Sequence, residues 1–261
     1  MMAFLERSRL LVPTFTLYER ALAHHGRSSE DDQVSVDGLD VPSRRLRVLV
    51  SGSPDLEWFL QSGREAAGAI HEALAASGVA ISQQTKVLDF GCGCGRVARH
   101  WPDFPGEFWG TDANEDLVEW CRGHLHFGTF IENGAEPPLP VSDDVFDAVY
   151  AISVFTHLTE AAQSAWIAEL ARVVRPGGKV IFTTHGDAYA GALSSRERDL
   201  FESGRLVVRH GTASGRNVCA AFHPRQAVRR LAEPMLEEVA FIPVRVGRQD
   251  LYVFSKKLGA S

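Results

Sequence analysis

The sequence predicts an α/β fold, namely a doubly wound, mostly parallel sheet of seven strands with helices on both faces and an antiparallel C-terminal hairpin. From residue 85 onward, short apolar segments alternate with segments of helical periodicity, and this alternation implies parallel strands joined by right-handed crossovers. The segment 146–152 is apolar on both faces, as expected for a central parallel strand. A glycine-rich turn follows the first apolar segment and marks a place where a strand passes into a ligand site.

The composition excludes several classes of function. The chain of 261 residues is long enough to bury a substantial core. Its net charge of −6 argues against a sequence-independent grip on DNA or RNA. No apolar segment is long enough to span a bilayer, and the N-terminus lacks a signal-peptide core. We therefore expect a cytoplasmic protein, a monomer or homodimer, that binds neither membrane nor nucleic acid and whose four cysteines are reduced thiols.

Two units are predicted along the chain. Residues 1–60 form an N-terminal cap, and residues 61–261 form the core, with 186–235 inserted as a lid or substrate segment. Pro13 interrupts the first apolar segment of the cap. The predicted elements of this region are a short strand at Arg45–Val50, a helix from Ser53 through Leu60, and a helix over about 64–76 that ends near Gly78.

The core elements follow in regular order. The predicted strands are Lys86–Phe90, Glu107–Thr111, Gly128–Glu132, Phe146–Ile152 and Lys179–Thr184. The predicted helices between them are 95–101, 115–122 and 159–174, the last of which ends at an Arg-Pro-Gly-Gly turn. The C-terminal part is predicted to contain hairpins at 205–210 with 217–222 and at 239–246 with 250–256, and a short helix at 226–231 between them.

The turn after the first strand predicts a nucleotide-like ligand. Gly91, Gly93 and Gly95 follow Asp89, and glycine permits positive φ and close approach of the backbone to a ligand. Asp112 ends the second strand, where an acid accepts hydrogen bonds from the two hydroxyls of a ribose. Asp112 can also serve as the N-cap of the helix that follows, and the two roles are compatible.

The chain resembles the class I methyltransferases that use S-adenosylmethionine. The resemblance covers about 85–185, and it implies a Rossmann-like fold, S-adenosylmethionine as cofactor, and methyl transfer. The Arg-Pro-Gly-Gly turn before the fifth strand is difficult to reconcile with a dehydrogenase. The motifs that carry the resemblance are Val87–Gly95, Gly110–Asp112, Leu139–Pro140 with Ser142–Asp147, Ile152–Leu158 and Leu170–Gly178.

The resemblance also assigns a cofactor site. The glycine turn would lie against the methionine part of the cofactor and Asp112 against its ribose, while Asn133 stands where the family usually has an acid that contacts adenine. Arg96 would either pair with the carboxylate of the cofactor or lie in solvent, and Cys92 is expected to be a small residue that leaves space. The full predicted set is Asp89, Gly91, Cys92, Gly93, Gly95, Asp112, Ala113, Leu117, Asn133, Gly134, Ile152 and Ser153.

Two histidines are the predicted catalytic residues. A hydroxyl acceptor must lose a proton during methyl transfer, and a histidine can take it near neutral pH. His157 follows the fourth strand and His185 ends the fifth, so either could face the reacting atoms. The alternative for His157 is a helix N-cap or a packing residue. No metal is expected, because we find no cluster of carboxylates at this edge of the predicted sheet.

The acceptor is expected to be a small molecule. The cap and the inserted segment can fold over the cofactor, and we expect O-methylation, rather than N-methylation, of a sugar or secondary metabolite. Two rival functions are an S-adenosylmethionine-binding protein that does not methylate and, with less support, an NAD(P)-dependent oxidoreductase. The aromatic residues that could either line an apolar acceptor pocket or pack in the core are Trp58, Phe59, Tyr189, Phe201 and Phe222.

Overall fold

The structure is a computed structural model and describes residues 10–24 and 35–258. The α-helices of this part of the chain are α1 (Leu11–His24), α2 (Arg44–Ser51), α3 (Leu56–Ala76), α4 (Glu115–His124), α5 (Glu160–Val173), α6 (Ser195–Glu202) and α7 (Arg225–Ala232). Its strands are β1 (Ser35–Val36), β2 (Leu39–Asp40), β3 (Lys86–Phe90), β4 (Glu107–Asp112), β5 (Gly128–Glu132), β6 (Phe146–Ala151), β7 (Val174–Thr184), β8 (Val207–Arg209), β9 (Ala220–Phe222), β10 (Leu236–Val246) and β11 (Gln249–Lys256).

A seven-stranded sheet has the order β10-β11-β7-β6-β3-β4-β5. Strands β3 to β7 are parallel, and β11 pairs antiparallel with both β7 and β10. This arrangement confirms the predicted Rossmann-like α/β fold with its antiparallel C-terminal hairpin. Two small antiparallel pairs, β1 with β2 and β8 with β9, lie outside the main sheet. None of the helices within residues 10–24 and 35–258 is long and apolar enough to cross a membrane.

The hydrophobic core lies on both faces of this sheet. Successive side chains of a strand point to opposite faces, so Val87 belongs to one apolar cluster and Leu88 to the other. Ile70 of α3 packs in the first cluster, and Trp166 of α5 packs in the second. Because helices cover both faces, the central strands β3, β6 and β7 are buried along most of their length.

The prediction of a strand at 45–50 is wrong, because this segment forms helix α2. Leu46, Leu49 and Val50 have the i, i+3, i+4 spacing of a helical face as well as a partly alternating pattern. Gly52 ends the helix at φ +66°, and its N–H donates to the carbonyl of Val48 at 2.8 Å. Arg47 is buried because its guanidinium donates to the carbonyls of Pro42 and Pro54.

The predicted helix at 95–101 is also wrong. The segment forms consecutive turns and a 3-10 turn at Ala98–His100. Pro102 lacks the N–H that an extended helix would require there, and the last hydrogen bonds span three residues, from His100 to Val97 and from Trp101 to Ala98. The chain therefore leaves the glycine turn in a short compact path instead of a helix.

Two further boundaries differ from the prediction. The helices expected on either side of Gly63 are one continuous helix, α3, whose N-cap is Asp55 and not Ser53. Asp55 accepts a hydrogen bond from the backbone N–H of Trp58 at 2.7 Å. Helix α5 ends at Val173, one residue before the predicted end at the Arg-Pro-Gly-Gly turn, and β7 begins at Val174 instead of Lys179.

Candidate active site

A cleft of about 1110 Å³ opens at the carboxyl ends of β3, β4, β5 and β6. The structure brings eleven of the twelve predicted cofactor residues to the lining of this cleft. Gly95 is the exception, because it faces the end of α4, where an added Cβ would overlap the side chain of Leu125. Residues that the sequence predicts as one cofactor site, at strand ends far apart along the chain, therefore lie together in one cleft.

The glycine turn at the bottom of the cleft has no room for side chains. Gly91 has φ +77°, and an added Cβ would overlap the side chain of Val154. Gly93 has φ +56°, and its Cβ would come within 2.6 Å of Val50 Cγ2. The N–H groups of Gly91 and Cys92 both donate to the carbonyl of Thr111, at 2.7 and 2.9 Å. These contacts hold the turn against β4 and create a smooth backbone cradle.

Asp112 connects this turn to the end of β4. Its Oδ2 accepts the N–H of Gly93 at 3.0 Å, and its Oδ1 accepts the N–H of Asn114 at 2.9 Å. Burial raises the pKa of the carboxyl above its usual value. The N-cap of α4 is Asn114, so the N-cap alternative for Asp112 is wrong. A carboxylate has about four lone-pair positions, which leaves acceptor capacity for the hydroxyls of a ribose.

Asp89 and Arg96 place opposite charges beside the turn. Asp89 is 2% exposed, and its Oδ2 has no hydrogen-bond partner among the described residues. Burial raises the pKa of this carboxyl to about 7, although the Tyr150 hydroxyl and the Arg96 guanidinium act against the shift. Arg96 is also buried, with Nη1 3.3 Å from Ser62 Oγ, so its solvated alternative is wrong. The orphaned acceptor and the glycine cradle fit a cofactor with an amino-acid end.

The side-chain amide of Asn133, which is predicted to contact adenine, makes hydrogen bonds within the protein through most of its polar groups. Asn133 Oδ1 accepts from Thr111 Oγ1 at 2.7 Å, and Asn133 Nδ2 donates to the carbonyl of Gly134 at 2.7 Å. One N–H of the amide is therefore available to a ligand. Ala113 and Leu117 also line this part of the cleft.

Ser153 stands in an uncommon backbone conformation at the edge of the cleft. Its φ is +64°, in the left-handed region that few residues other than glycine adopt. Its N–H donates to Thr183 Oγ1 at 2.8 Å, and its hydroxyl contacts the side-chain amide of Gln249. Ile152 and Ser153 thus expose backbone to the cleft where the strand ends. Strain of this kind is common at functional sites.

His157 lines the cleft with a defined tautomer. Its Nδ1 lies 2.7 Å from the carbonyl oxygen of Cys219. Because a carbonyl can only accept, Nδ1 carries the hydrogen, and Nε2 of the neutral ring is left with a free lone pair. Burial lowers the pKa of His157, which keeps the ring neutral at neutral pH. Thr159 is the N-cap of α5, so the N-cap alternative for His157 is wrong.

His185 does not line the cleft. Its ring centroid lies 4.1 Å from that of Tyr189, and its Nδ1 lies 3.2 Å from the carbonyl oxygen of Ala221. Burial lowers the pKa of His185 to about 4. The ring centroids of His157 and His185 are 6.5 Å apart, so the two predicted histidines are neighbours but occupy different surroundings.

None of the five predicted pocket aromatics lines the cleft. Trp58 is 47% exposed, on the outside of α3. Phe59 belongs to a small buried cluster with Leu46, while Phe201 and Phe222 belong to another. Tyr189 packs against this second cluster. Core packing therefore accounts for four of these residues, and Trp58 has neither of the predicted roles.

Residues of the N-terminal cap and of the inserted segment complete the cleft, and the sequence did not indicate these individual residues. Glu19 of α1, Leu49 and Val50 at the end of α2, and the segment Ser214–Asn217 all contribute to its lining. Burial raises the pKa of the Glu19 carboxyl. The run Ser-Gly-Arg-Asn is typical of a turn, but no local pattern indicates that this turn contacts α2.

The cysteines near the turn are structural. Cys92, Cys94, Cys121 and Cys219 are buried, and none of them forms a disulfide. The neighbouring thiol of Cys121 and burial raise the pKa of Cys92 well above its usual value, which disfavours the reactive thiolate. Over residues 10–24 and 35–258, no group of three or more His, Cys, Asp or Glu side chains is arranged to hold a metal ion.

Residues 88–182 match the sequence model of a family described as "Methyltransferase domain". The chain is 28% identical over 188 residues to the sterol 24-C-methyltransferase erg6 of Schizosaccharomyces pombe, which covers 66% of this chain and 49% of that protein. It is 35% identical over 101 residues to a fatty-acid O-methyltransferase of Mycolicibacterium smegmatis, over 38% of this chain and 36% of that one. The chain thus spans about half or less of the length of these curated relatives.

Solved structures show the same fold. An S-adenosylmethionine-dependent methyltransferase from Mesorhizobium loti superposes with a TM-score of 0.56 at 15% sequence identity, over 74% of this chain and all (100%) of that chain. At this identity the likeness establishes the fold alone. The matched residues 88–182 include the last three residues of β3, where the cleft begins, and most of β7.

Proposed function

We propose that this chain, a class I methyltransferase whose cofactor is S-adenosylmethionine, transfers a methyl group to a hydroxyl oxygen of a small molecule. The observation that carries the proposal is the position of His157, which lines the same cleft as the glycine turn and Asp112 and whose Nδ1 is bound to a carbonyl, so that Nε2 remains as the base. A methyltransferase must hold the cofactor and remove the acceptor proton in one place, and this cleft offers both functions.

Each part of the cofactor has a chemically suitable partner. The backbone of Gly91 and Gly93 would lie against its methionine part, where Asp89 and Arg96 offer charges opposite to those of an ammonium and a carboxylate. The Asp112 carboxylate would accept hydrogen bonds from the ribose hydroxyls.

The protein must align the acceptor and take up its proton. When bound, S-adenosylmethionine supplies a methyl group on a sulfonium, so the acceptor oxygen forms a C–O bond as the S–C bond breaks. His157 Nε2 would receive the acceptor proton, and Nδ1 would keep its hydrogen bond to Cys219 while the ring becomes positively charged. His185 lies outside the lining of the cleft, so we assign the base to His157 and withdraw His185.

The apolar part of the cleft lining favours an acceptor with an apolar region. Leu158, Ala162, Ala165 and Trp166 belong to this part of the lining. Apolar walls with few polar groups bind hydrophobic ligands, so a secondary metabolite with an apolar region fits better than a sugar. The names of the sterol and fatty-acid methyltransferases among the relatives agree with such an acceptor.

Two rival functions predict different behaviour. A dinucleotide-binding dehydrogenase of the common type has the parallel strand order 3-2-1-4-5-6, whereas this sheet has the antiparallel strand β11 beside β7. An S-adenosylmethionine-binding protein without methyl transfer would have the same cleft but would not need a base at His157. Activity measurements separate this second rival from the proposed enzyme.

The test is a methyl-transfer assay that measures S-adenosylhomocysteine formation with a panel of apolar alcohols, phenols, carboxylic acids and amines. We expect turnover with a hydroxyl compound and a fall in kcat of about 100-fold or more in His157→Gln, while S-adenosylhomocysteine affinity is unchanged. His185→Gln is the matched control and should keep most of the activity. Turnover of amines alone, or full activity in His157→Gln, would contradict the proposed reaction.

A further inference from the structure

The segment Ser214–Cys219, called the strap below, passes from one wall of the cleft to the other. Its first four residues line the cleft. The strap belongs to the inserted segment 186–235 that the sequence predicts as a lid, yet only these residues of that segment are part of the cleft lining. The place where the insertion meets the ligand site is therefore short and well defined.

One end of the strap is attached beside β6. The N–H of Gly215 donates to the carbonyl of His157 at 2.7 Å. Ser214 Oγ accepts the N–H of Thr159 at 3.2 Å. These two hydrogen bonds fix the strap to the chain that carries His157.

The other end is attached to the N-terminal helices by one side chain. Asn217 Nδ2 donates to the carbonyl of Leu49 at 2.9 Å, and it lies 3.5 Å from Glu19 Oε1. Leu49 precedes Val50, whose side chain fills the space above Gly93. Asn217 therefore joins the strap to the wall that covers the glycine turn.

The same short segment also holds the ring of His157. The carbonyl of Cys219, two residues after Asn217, accepts the Nδ1 hydrogen of His157 at 2.7 Å. The N–H of Cys219 donates to the carbonyl of Arg216 at 2.9 Å, which makes residues 216–219 a single closed turn. A displacement of Asn217 must therefore move the carbonyl that sets the histidine tautomer.

We propose that Asn217 is a positioning residue that couples closure of the cleft to the orientation of His157. When its amide is bound to α2, the strap covers the cofactor and presents the Cys219 carbonyl to Nδ1. When the amide is released, the cleft opens and the ring loses its fixed tautomer. The idea rests on the proposed function for its catalytic meaning, but the coupling itself is a property of the free protein.

The experiment uses the full chain and two readouts. Stopped-flow fluorescence measures the dissociation rate of S-adenosylhomocysteine, and nitrogen-15 NMR at pH 7.5 measures the tautomer of His157, assigned with His157→Gln. We expect the Nδ1–H tautomer in the unsubstituted protein. In Asn217→Ala, we expect dissociation to be about tenfold faster, from the loss of one buried hydrogen bond, and averaged or exchanged ring-nitrogen signals.

Two further variants distinguish a specific effect of Asn217 from a general loss of folding. Asn217→Asp keeps the volume but places a carboxylate against the Leu49 carbonyl and Glu19, so it should change both readouts as Asn217→Ala does. Asp199→Ala, on the exposed face of α6 in the same insertion, is the control and should change neither. The thermal transition of each variant shows that it is folded.

The coupling is contradicted if Asn217→Ala and Asn217→Asp are folded and leave either readout as in the unsubstituted protein. An Nε2–H tautomer in the unsubstituted protein would also overturn it. If the protein binds no S-adenosylhomocysteine, the proposed function fails, and the NMR readout alone then decides whether Asn217 positions His157.

Discussion

Two carboxylates at neighbouring strand ends have different environments and therefore different roles. Burial raises the pKa of Asp112 above its usual value, and the hydrogen bonds that it accepts from two backbone N–H groups oppose this rise. Asp89 has one oxygen with no partner among the described residues, and burial raises its pKa to about 7. Asp112 is prepared to accept hydrogen bonds as an anion, whereas Asp89 gains its charge when a cation arrives.

This difference predicts pH-dependent binding of the cofactor product. The ionised form of Asp89 would pair with the ammonium of S-adenosylhomocysteine, and a pKa of about 7 means that this form develops as the pH rises through neutrality. Affinity measured by calorimetry should therefore increase about tenfold between roughly pH 6 and pH 8. Asp89→Asn should bind more weakly with little pH dependence; an unchanged pH profile in this variant would contradict the assignment.

At the residue level, the sequence motifs predicted which residues line the cleft better than they predicted which side chains contact each other. Gly91, Gly93 and Asp112 were located from residue type and spacing, because a strand, a tight turn and a strand-end acid are local features. Glu19 and Asn217 were missed, because their approach to the turn depends on contacts across 198 residues of chain. The hydrogen bond of His157 to Cys219 spans 62 residues and was equally inaccessible to local patterns.

At the scale of the elements, helix α3 supports the glycine turn through one close contact. A Cβ added at Gly63 would overlap the backbone carbonyl of Arg96, whereas a Cβ added at Gly68 on the same helix would meet nothing within 4 Å. The first glycine therefore permits the helix to approach the turn, and the second has no packing role. The two positions form a matched pair for substitution.

Substitution of the pair by alanine should have opposite effects on stability. We expect Gly63→Ala to lower the free energy of unfolding by about 1–3 kcal/mol, because a backbone carbonyl cannot move as a flexible side chain can. Gly68→Ala should raise it by about 0.5–1 kcal/mol through helix propensity. Urea unfolding of both variants measures the difference, and equal effects would show that α3 does not press against the turn.

The elements were predicted well where burial determines them. The bounds of β3 and β5 agree with the prediction; four of the five residues of β3 are buried and give a clear apolar pattern, whereas in the edge strand β5 only Phe130 is buried. Helix α2 was predicted as a strand, because arginines among apolar residues fit both the period of a strand and that of a helix. Its helical state depends on the burial of Arg47 against two carbonyls, which is a tertiary contact.

At the scale of the whole molecule, buried neutral histidines make stability depend on pH. His223 is 1% exposed, its Nε2 lies 3.1 Å from Gln163 Oε1, and burial lowers its pKa to about 3. An unfolded histidine titrates near 6.5, so the unfolded chain binds more protons between about pH 3 and pH 6.5. The contribution of His223 to stability is thus fully present above pH 6.5 and decreases as the pH falls through this range.

His223→Gln tests this contribution, because glutamine can also donate to Gln163. The slope of the unfolding free energy against pH should become smaller by up to about 1.4 kcal/mol per pH unit between pH 6 and pH 4. His185, with a pKa of about 4, contributes in the same direction, and Asp89 contributes in the opposite one. Denaturant unfolding at several pH values gives the slope, and an unchanged slope would mean that His223 is not buried in neutral form.

The whole molecule is built around one cleft at the carboxyl ends of the strands, and its central property is the binding of S-adenosylmethionine in this cleft. The most direct measurement is calorimetric titration of the unsubstituted protein and Asp112→Ala with S-adenosylhomocysteine and, separately, with NADH. We expect S-adenosylhomocysteine to bind and NADH not to bind, and we expect Asp112→Ala to weaken the binding of S-adenosylhomocysteine at least tenfold while its thermal transition is preserved. Binding of NADH without S-adenosylhomocysteine, or full affinity in Asp112→Ala, would contradict this expectation.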